Sequence, residues 1–246
     1  MNIILIEADE LADPGHAMIG GRRAAHIVSV LKAAPGDTIR VGLVDGPLGL
    51  ATVAAVENQA VRLDCSFESA VPPRPPVDLL LALPRPKVLR RLWAQLAALG
   101  VGRIILTNAE RVERNYFDTH VLTPECYRPL LIEGLQQARD TRLPIVSVHR
   151  QFRVLVEDHL GEVSNASVRL IADPRASASI KAVLNQEAAA RVLLAIGPEG
   201  GWNPFELSLL EAHGFQTVSM GSRTLRSDTA CIALLSIVHS AMNRIV

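Results

Sequence analysis

The chain has 246 residues, 49% of them hydrophobic, and 25 basic side chains balance 25 acidic ones. That is enough apolar material for one large or two modest cores, and zero net charge excludes a global basic field for nucleic acid, so any RNA contact must be local. No apolar run approaches the roughly 20 residues of a membrane helix, and Met1 to Glu10 is acidic rather than basic-then-apolar, so a cytoplasmic protein without leader or membrane partner is expected.

The first part of the chain reads as short strands. Ile3 to Ile6, Thr38 to Leu43, Leu50 to Val56 and Ala60 to Cys65 are rich in β-formers and separated by Pro35-Gly36-Asp37 and Asp45-Gly46-Pro47, a pattern that suits a small β-barrel. His16 falls in a glycine-bounded loop. The run Pro72-Pro73-Arg74-Pro75-Pro76 removes backbone donors and favours a stiff connector, which divides the chain into residues 1–71 and 72–246.

Beyond the prolines, apolar strands alternate with amphipathic helices. Leu79 to Leu83, Arg103 to Thr107, Ile145 to Val148, Val168 to Ala172, Val192 to Ile196 and Gln216 to Ser219 read as strands of an α/β fold with a mostly parallel sheet. Val88, Leu89, Leu92, Trp93, Leu96 and Leu99 recur at helical spacing and stop at Gly100, so this stripe faces the sheet and Trp93 belongs to the core. Cys65, Cys126 and Cys231 form no CxxC pair, and the histidines show neither HxH nor HExxH spacing, so no disulfide framework and no metal are expected.

Basic residues cluster twice. Arg22, Arg23 and Lys32 form one group, and Arg85, Lys87, Arg90 and Arg91 another, each readable as RNA phosphate contacts or as a solvated helix face. Lys32, Lys87 and Lys181 are the only lysines. Arginine suits phosphate forks and base stacking, although codon bias produces the same preference.

Two loops carry the chemistry. In Ile196-Gly197-Pro198-Glu199-Gly200-Gly201-Trp202-Asn203-Pro204-Phe205-Glu206 a buried strand runs into glycines and then a helix start, with Asn203 as N-cap, Pro204 in the first turn and Glu206 closing a capping box. A phosphate loop is disfavoured, because Gly-Lys-Ser/Thr and GxGxxG are missing and Glu199 would set a carboxylate beside the anion; a plain strand-to-helix turn stays open. The second loop, Met220-Gly221-Ser222-Arg223-Thr224-Leu225-Arg226-Ser227-Asp228-Thr229-Ala230, precedes an apolar helix that Ser227 can cap. Arg223 and Arg226 complement no helix dipole there, which marks them as functional candidates.

Together these two segments resemble the paired C-terminal signature of the RsmE family, ribosomal RNA small-subunit methyltransferases of the SPOUT superfamily. Arg22 to Lys32 resembles the family's early His-x-x-x-Val-Leu-Arg helix, so the resemblance spans the chain. It implies a PUA-like β-barrel over residues 1–71, an α/β domain with a deep trefoil knot over 72–246, S-adenosylmethionine bound in the knot, a homodimer, and methylation of a uridine N3 in small-subunit ribosomal RNA. By motif, Ile196, Gly197, Pro198, Glu199, Gly200, Gly201, Met220, Gly221, Leu225 and Arg226 would line the cofactor site. The chain departs from the family pattern at Asp228, where glutamate is usual, at Ala98-Leu99-Gly100, and over Glu133 to Arg142. Arg226, with Arg223 second, is assigned to stabilise charge on the uracil oxygens; Glu199, Asp228 and solvent compete for the proton-accepting role. The alternatives are a SPOUT methyltransferase for another nucleotide, a non-catalytic ribosome-binding protein, and a magnesium-dependent nucleotide enzyme.

Overall fold

A computed structural model of the chain describes residues 3–57, 60–186 and 189–242. These form two compact units, residues 1–74 with 132–143, and 75–131 with 144–246.

The first unit is built on a six-stranded sheet. Its strands are β1 (Ile4–Ile6), β2 (Leu11–Asp13), β3 (His16–Ile19), β4 (Thr38–Leu43), β5 (Leu48–Glu57) and β6 (Ala60–Phe67), in the order β1-β4-β5-β6-β3-β2. Only β1 and β4 pair in parallel. Alternation along β4 and β6 turns Ile39, Val41, Val61 and Leu63 inward, where they meet Ile4, Ile6 and Ile19. The helix α1 (Gly21–Ser29) adds Ala24 and Ile27 to that core and stops short of Leu31 and Lys32.

Two strands of this unit, β2 and β3, escape the sequence reading because they are only three and four residues long. His16 is not in a loop; it opens β3, its Nδ1 2.7 Å from Asp13 Oδ1.

The proline connector is not the only division of the chain. Residues 132–143 return to the first unit because Thr141, fully buried, donates its hydroxyl to Gly46 O at 2.6 Å, and Arg142 Nη1 donates to Asp45 O at 2.8 Å. A buried hydroxyl needs a partner, and here it comes from a distant segment. Thr141 and Arg142, at the end of the stretch that departs from the family pattern, therefore have structural partners.

The second unit has an all-parallel sheet. Along the chain come β7 (Val77–Ala82), α2 (Pro86–Ala98), β8 (Arg103–Thr107), α3 (Pro124–Ala138), β9 (Ile145–His149), α4 (Phe152–Val154), α5 (Leu160–Val163), β10 (Val168–Ala172), α6 (Ile180–Gln186), β11 (Val192–Ile196), α7 (Pro204–Ala212), β12 (Phe215–Val218) and α8 (Ser227–Ala241). Of these, α3 begins in the second unit and ends in the first. The strand order is β12-β10-β11-β7-β8-β9, so the late strand β11 lies between β10 and β7. Every residue of β7 and β11 is buried, as expected of central strands covered on both faces. Trp93 has no exposed surface and donates Nε1 to Val121 O at 3.2 Å, so it belongs to the core. Gly100, with φ +76°, ends the α2 segment in a left-handed turn.

Candidate ligand-binding site

In a parallel sheet the carboxyl ends of the strands gather the loops that can bind ligands. Here the loops after β10, β11 and β12 enclose one cleft at those carboxyl ends. Ile196, Val218, Leu225 and Leu234 give it apolar walls, while Glu199 and Asp173 add two carboxylates.

The loop after β11 is shaped by its own capping box. Asn203 Oδ1 accepts from Glu206 N at 2.7 Å, and Glu206 Oε2 accepts from Asn203 N at 2.8 Å, with Pro204 in the first turn of α7. Gly201 has φ +74° and donates its N–H to Pro198 O, closing the turn before the cap. Gly197 lies against an indole: a Cβ there would stand 3.1 Å from both Cδ1 and Nε1 of Trp202. Trp202 is buried and stacks on Phe152 with ring centroids 5.4 Å apart, which fixes the back of the loop.

Most residues expected at the site meet here. Ile196, Gly197, Pro198, Glu199, Gly201, Met220, Gly221, Leu225 and Arg223 line the cleft; Gly200 and Arg226 are not among the lining residues. Arg226 occupies the N-cap position of α8 and is exposed, and Ser227, expected as the cap, is instead the first helical residue and buried. The loop geometry moves the helix start back by one residue and leaves Arg223 as the cleft's arginine.

Asp173 had no glycine signature to announce it. It ends the β10 side of the cleft, and Arg175 grips both its oxygens, Nε at 3.1 Å from Oδ1 and Nη2 at 2.8 Å from Oδ2. That hydrogen bonding holds the Asp173 carboxyl below the ordinary carboxylate value. Cys231, under the first turn of α8, is fully buried and its thiol is pushed up to about 12 by loss of solvent, so it is inert packing.

The basic candidates divide by their partners. Arg85 stands 3.8 Å from Glu199, and Arg91 Nη2 lies 3.0 Å from Asp228 Oδ2. Arg23 bonds Leu5 O at 2.7 Å and Glu10 Oε2 at 2.8 Å, in the half-buried interior of the first unit, so its charge is already committed. Arg22, Lys87 and Arg90 are exposed and form no hydrogen bond or ion pair among the described residues.

The family model of the RNA methyltransferase domain matches residues 72–239. The ribosomal RNA small subunit methyltransferase E of Treponema pallidum is 33% identical over 97% of this chain and 90% of its own length. The protein of that name from Mycobacterium bovis is 27% identical over 99% and 94%. Among solved structures, a ribosomal RNA small subunit methyltransferase E from Neisseria gonorrhoeae bound to S-adenosyl methionine superposes with TM-score 0.76 over 97% of both chains at 18% identity. A methyltransferase from Legionella pneumophila with its bound cofactor gives 0.75 over 98% of both at 22% identity, and at such identities these two likenesses bear on the fold alone. Family-model match and full-length relatives together make this chain a member of the ribosomal RNA small subunit methyltransferase E family.

Proposed function

We propose that the chain is an S-adenosylmethionine-dependent methyltransferase of small-subunit ribosomal RNA, acting on N3 of a uridine. The observation that carries the reading is the cleft itself: three loops at adjacent strand ends, apolar walls, and two carboxylates.

These residues fit that cofactor. Ile196, Val218, Leu225 and Leu234 suit a flat adenine, and Gly197 and Gly221 allow close backbone approach. Asp173 and Glu199 suit ribose hydroxyls and a positive charge, whereas a phosphate ligand would be repelled. When bound, S-adenosylmethionine supplies a methyl group already activated by positive sulfur. What the protein must add is alignment and proton handling. Glu199, in the cleft wall and half-exposed, accepts the N3 proton as the uracil enters. Arg223 stabilises the negative charge that develops on the uracil oxygens, and Arg226, exposed at the N-cap of α8, is the second cation offered to the substrate.

The first unit is read as the PUA-like RNA-binding domain, and the second as the SPOUT α/β domain whose last loops thread a trefoil knot. Arg22, Lys87 and Arg90, free of protein partners among the described residues, serve as phosphate contacts that place the RNA without reading it. A homodimer working in the cytoplasm, where ribosomal subunits are made, completes the reading.

Nucleoside mass spectrometry of ribosomal RNA from cells with and without the gene tests it. Loss of 3-methyluridine from the small-subunit RNA is expected; an unaltered nucleoside profile overturns the substrate assignment.

A further inference from the structure

Backbone carbonyls in a glycine-rich loop have no side chains to shield them and need partners if the loop is to hold one shape. In the β11 loop two of these carbonyls are taken by one residue from outside it. Arg111 Nη1 donates to Gly200 O and stands 3.4 Å from Gly201 O. The stem follows the head, since a Cβ on Gly200 would stand 2.8 Å from Arg111 Cδ. Gly200 thus leaves room for the arginine stem laid against it.

Arg111 is itself anchored. It belongs to the loop after β8, where Glu110 N donates to Glu206 Oε1 at 2.7 Å and the Glu110 carboxylate accepts from Asn203 Nδ2. Glu206 is 3% exposed and also closes the capping box of α7, so one buried carboxylate joins the β8 loop, the β11 loop and a helix start. Arg111 has no carboxylate partner among the described residues, and its charge is spent on neutral carbonyls. The Arg85–Glu199 pair touches the same loop from the cleft side at 3.8 Å, beyond hydrogen-bond reach, whereas Arg111, exposed as well, meets its carbonyls at hydrogen-bond distance. A charged donor on a backbone carbonyl is the stronger contact.

We infer that Arg111 is a positioning residue for the cofactor: it holds the Gly197–Gly201 loop in its binding shape before any ligand arrives. The inference rests on S-adenosylmethionine being the ligand of this cleft, as proposed above. Its role is to spare the ligand the ordering of the loop, so its loss weakens binding without touching the reacting atoms.

The test compares Arg111→Met, which keeps the stem and removes the donors, with Arg111→Lys, which restores one donor, and with Arg62→Ala, an exposed arginine of the first unit, as a control. Calorimetry with S-adenosylmethionine and hydrogen exchange of the residue 197–203 amides in ligand-free protein are measured together. Arg111→Met is expected to weaken cofactor affinity about tenfold or more and to speed loop exchange to a similar degree, as loss of a charged hydrogen bond implies. Arg111→Lys recovers most of both, and the melting temperature stays near wild type. Wild-type affinity and exchange in Arg111→Met overturn the role, as does a loss matched by an equal fall in global stability. Should the unaltered protein fail to bind S-adenosylmethionine, the proposed function falls, while the exchange comparison still decides what Arg111 does.

Discussion

Arg91 Nη2 lies 3.0 Å from Asp228 Oδ2, an ion pair that ties the second turn of α2 to the first turn of α8. Ser227, Ala230 and Leu234 of α8 line the cleft, so this exposed arginine, one of four basic residues in a sequence cluster readable as phosphate contacts, is engaged by the helix that walls the protein's own site.

Its neighbour Arg90 has no such partner among the described residues, so the two should separate in RNA binding. Each phosphate contact contributes about 0.7–0.9 to the slope of log affinity against log salt. Arg90→Ala is expected to lower that slope by roughly one contact. Arg91→Ala should change it by less than half as much, because its charge is already paired with Asp228. Filter-binding titrations from low to high salt decide; equal slopes for both variants would remove the distinction.

At the opposite ends of the strands, Asp78 has no exposed surface and holds Arg191 Nη1 at 2.7 Å and Ser164 Oγ at 2.8 Å. Arg191→Met leaves that carboxylate buried without its cation and should lower unfolding free energy by about 3–5 kcal/mol. Burial raises the Asp78 carboxyl above the ordinary value, with Ser164 and Arg191 opposing the rise. A raised acid binds more protons folded than unfolded, so its contribution is full below the ordinary value of 3.8 and is lost as pH climbs through the folded one. Without Arg191 the rise is larger, so acidification should narrow the gap between variant and wild type. Urea midpoints at neutral and acidic pH measure this, and a gap that widens in acid contradicts it.

Glu206 accepts from Glu110 N, Asn203 N and, through the reciprocal box, orders the start of α7. Glu206→Ala strands two part-buried backbone donors and is expected to cost about 1–3 kcal/mol. Glu206→Gln keeps one acceptor and should recover roughly half of that loss. Asn203→Ala, which removes the cap and the exposed side-chain bond to Glu110 but leaves both Glu206 acceptors in place, should cost about 1 kcal/mol. Denaturant unfolding ranks the three; an Asn203 loss equal to that of Glu206→Ala would show that the Glu206 bonds to Glu110 N and Asn203 N add nothing beyond the cap.

Gly197→Ala sets a methyl 3.1 Å from the Trp202 ring, tighter than van der Waals contact allows. The indole is buried against Phe152 and cannot retreat freely, so the loop must shift into the cleft instead. Weaker binding of S-adenosylmethionine is expected, together with altered emission from Trp202 in a Trp93→Phe background. Unchanged emission and affinity would place the indole elsewhere in solution.

How much of this was legible in the sequence follows from the range of each interaction. The capping box of α7 was readable because Asn203 and Glu206 lie within one turn of each other, and the strands of the second unit were readable from unbroken apolar runs such as Val192–Ile196. Glycine punctuation placed the two loops, and their motifs resembled one family closely enough to name a cofactor.

By itself, then, the sequence determined the parallel α/β pattern and the two glycine loops, which depend on neighbours along the chain, while resemblance by motif supplied about half of the residues that line the cleft. Only the tertiary structure decided that Asp173 joins them, that Arg111 crosses Gly200 from 89 residues away, and that Thr141 finds Gly46 across 95. It also settled which arginines are already paired, as Arg23 and Arg91 are. Those facts rest on hydrogen bonds and ion pairs between distant segments. Their geometry exists only after the apolar strands have packed and carried the polar groups to one another.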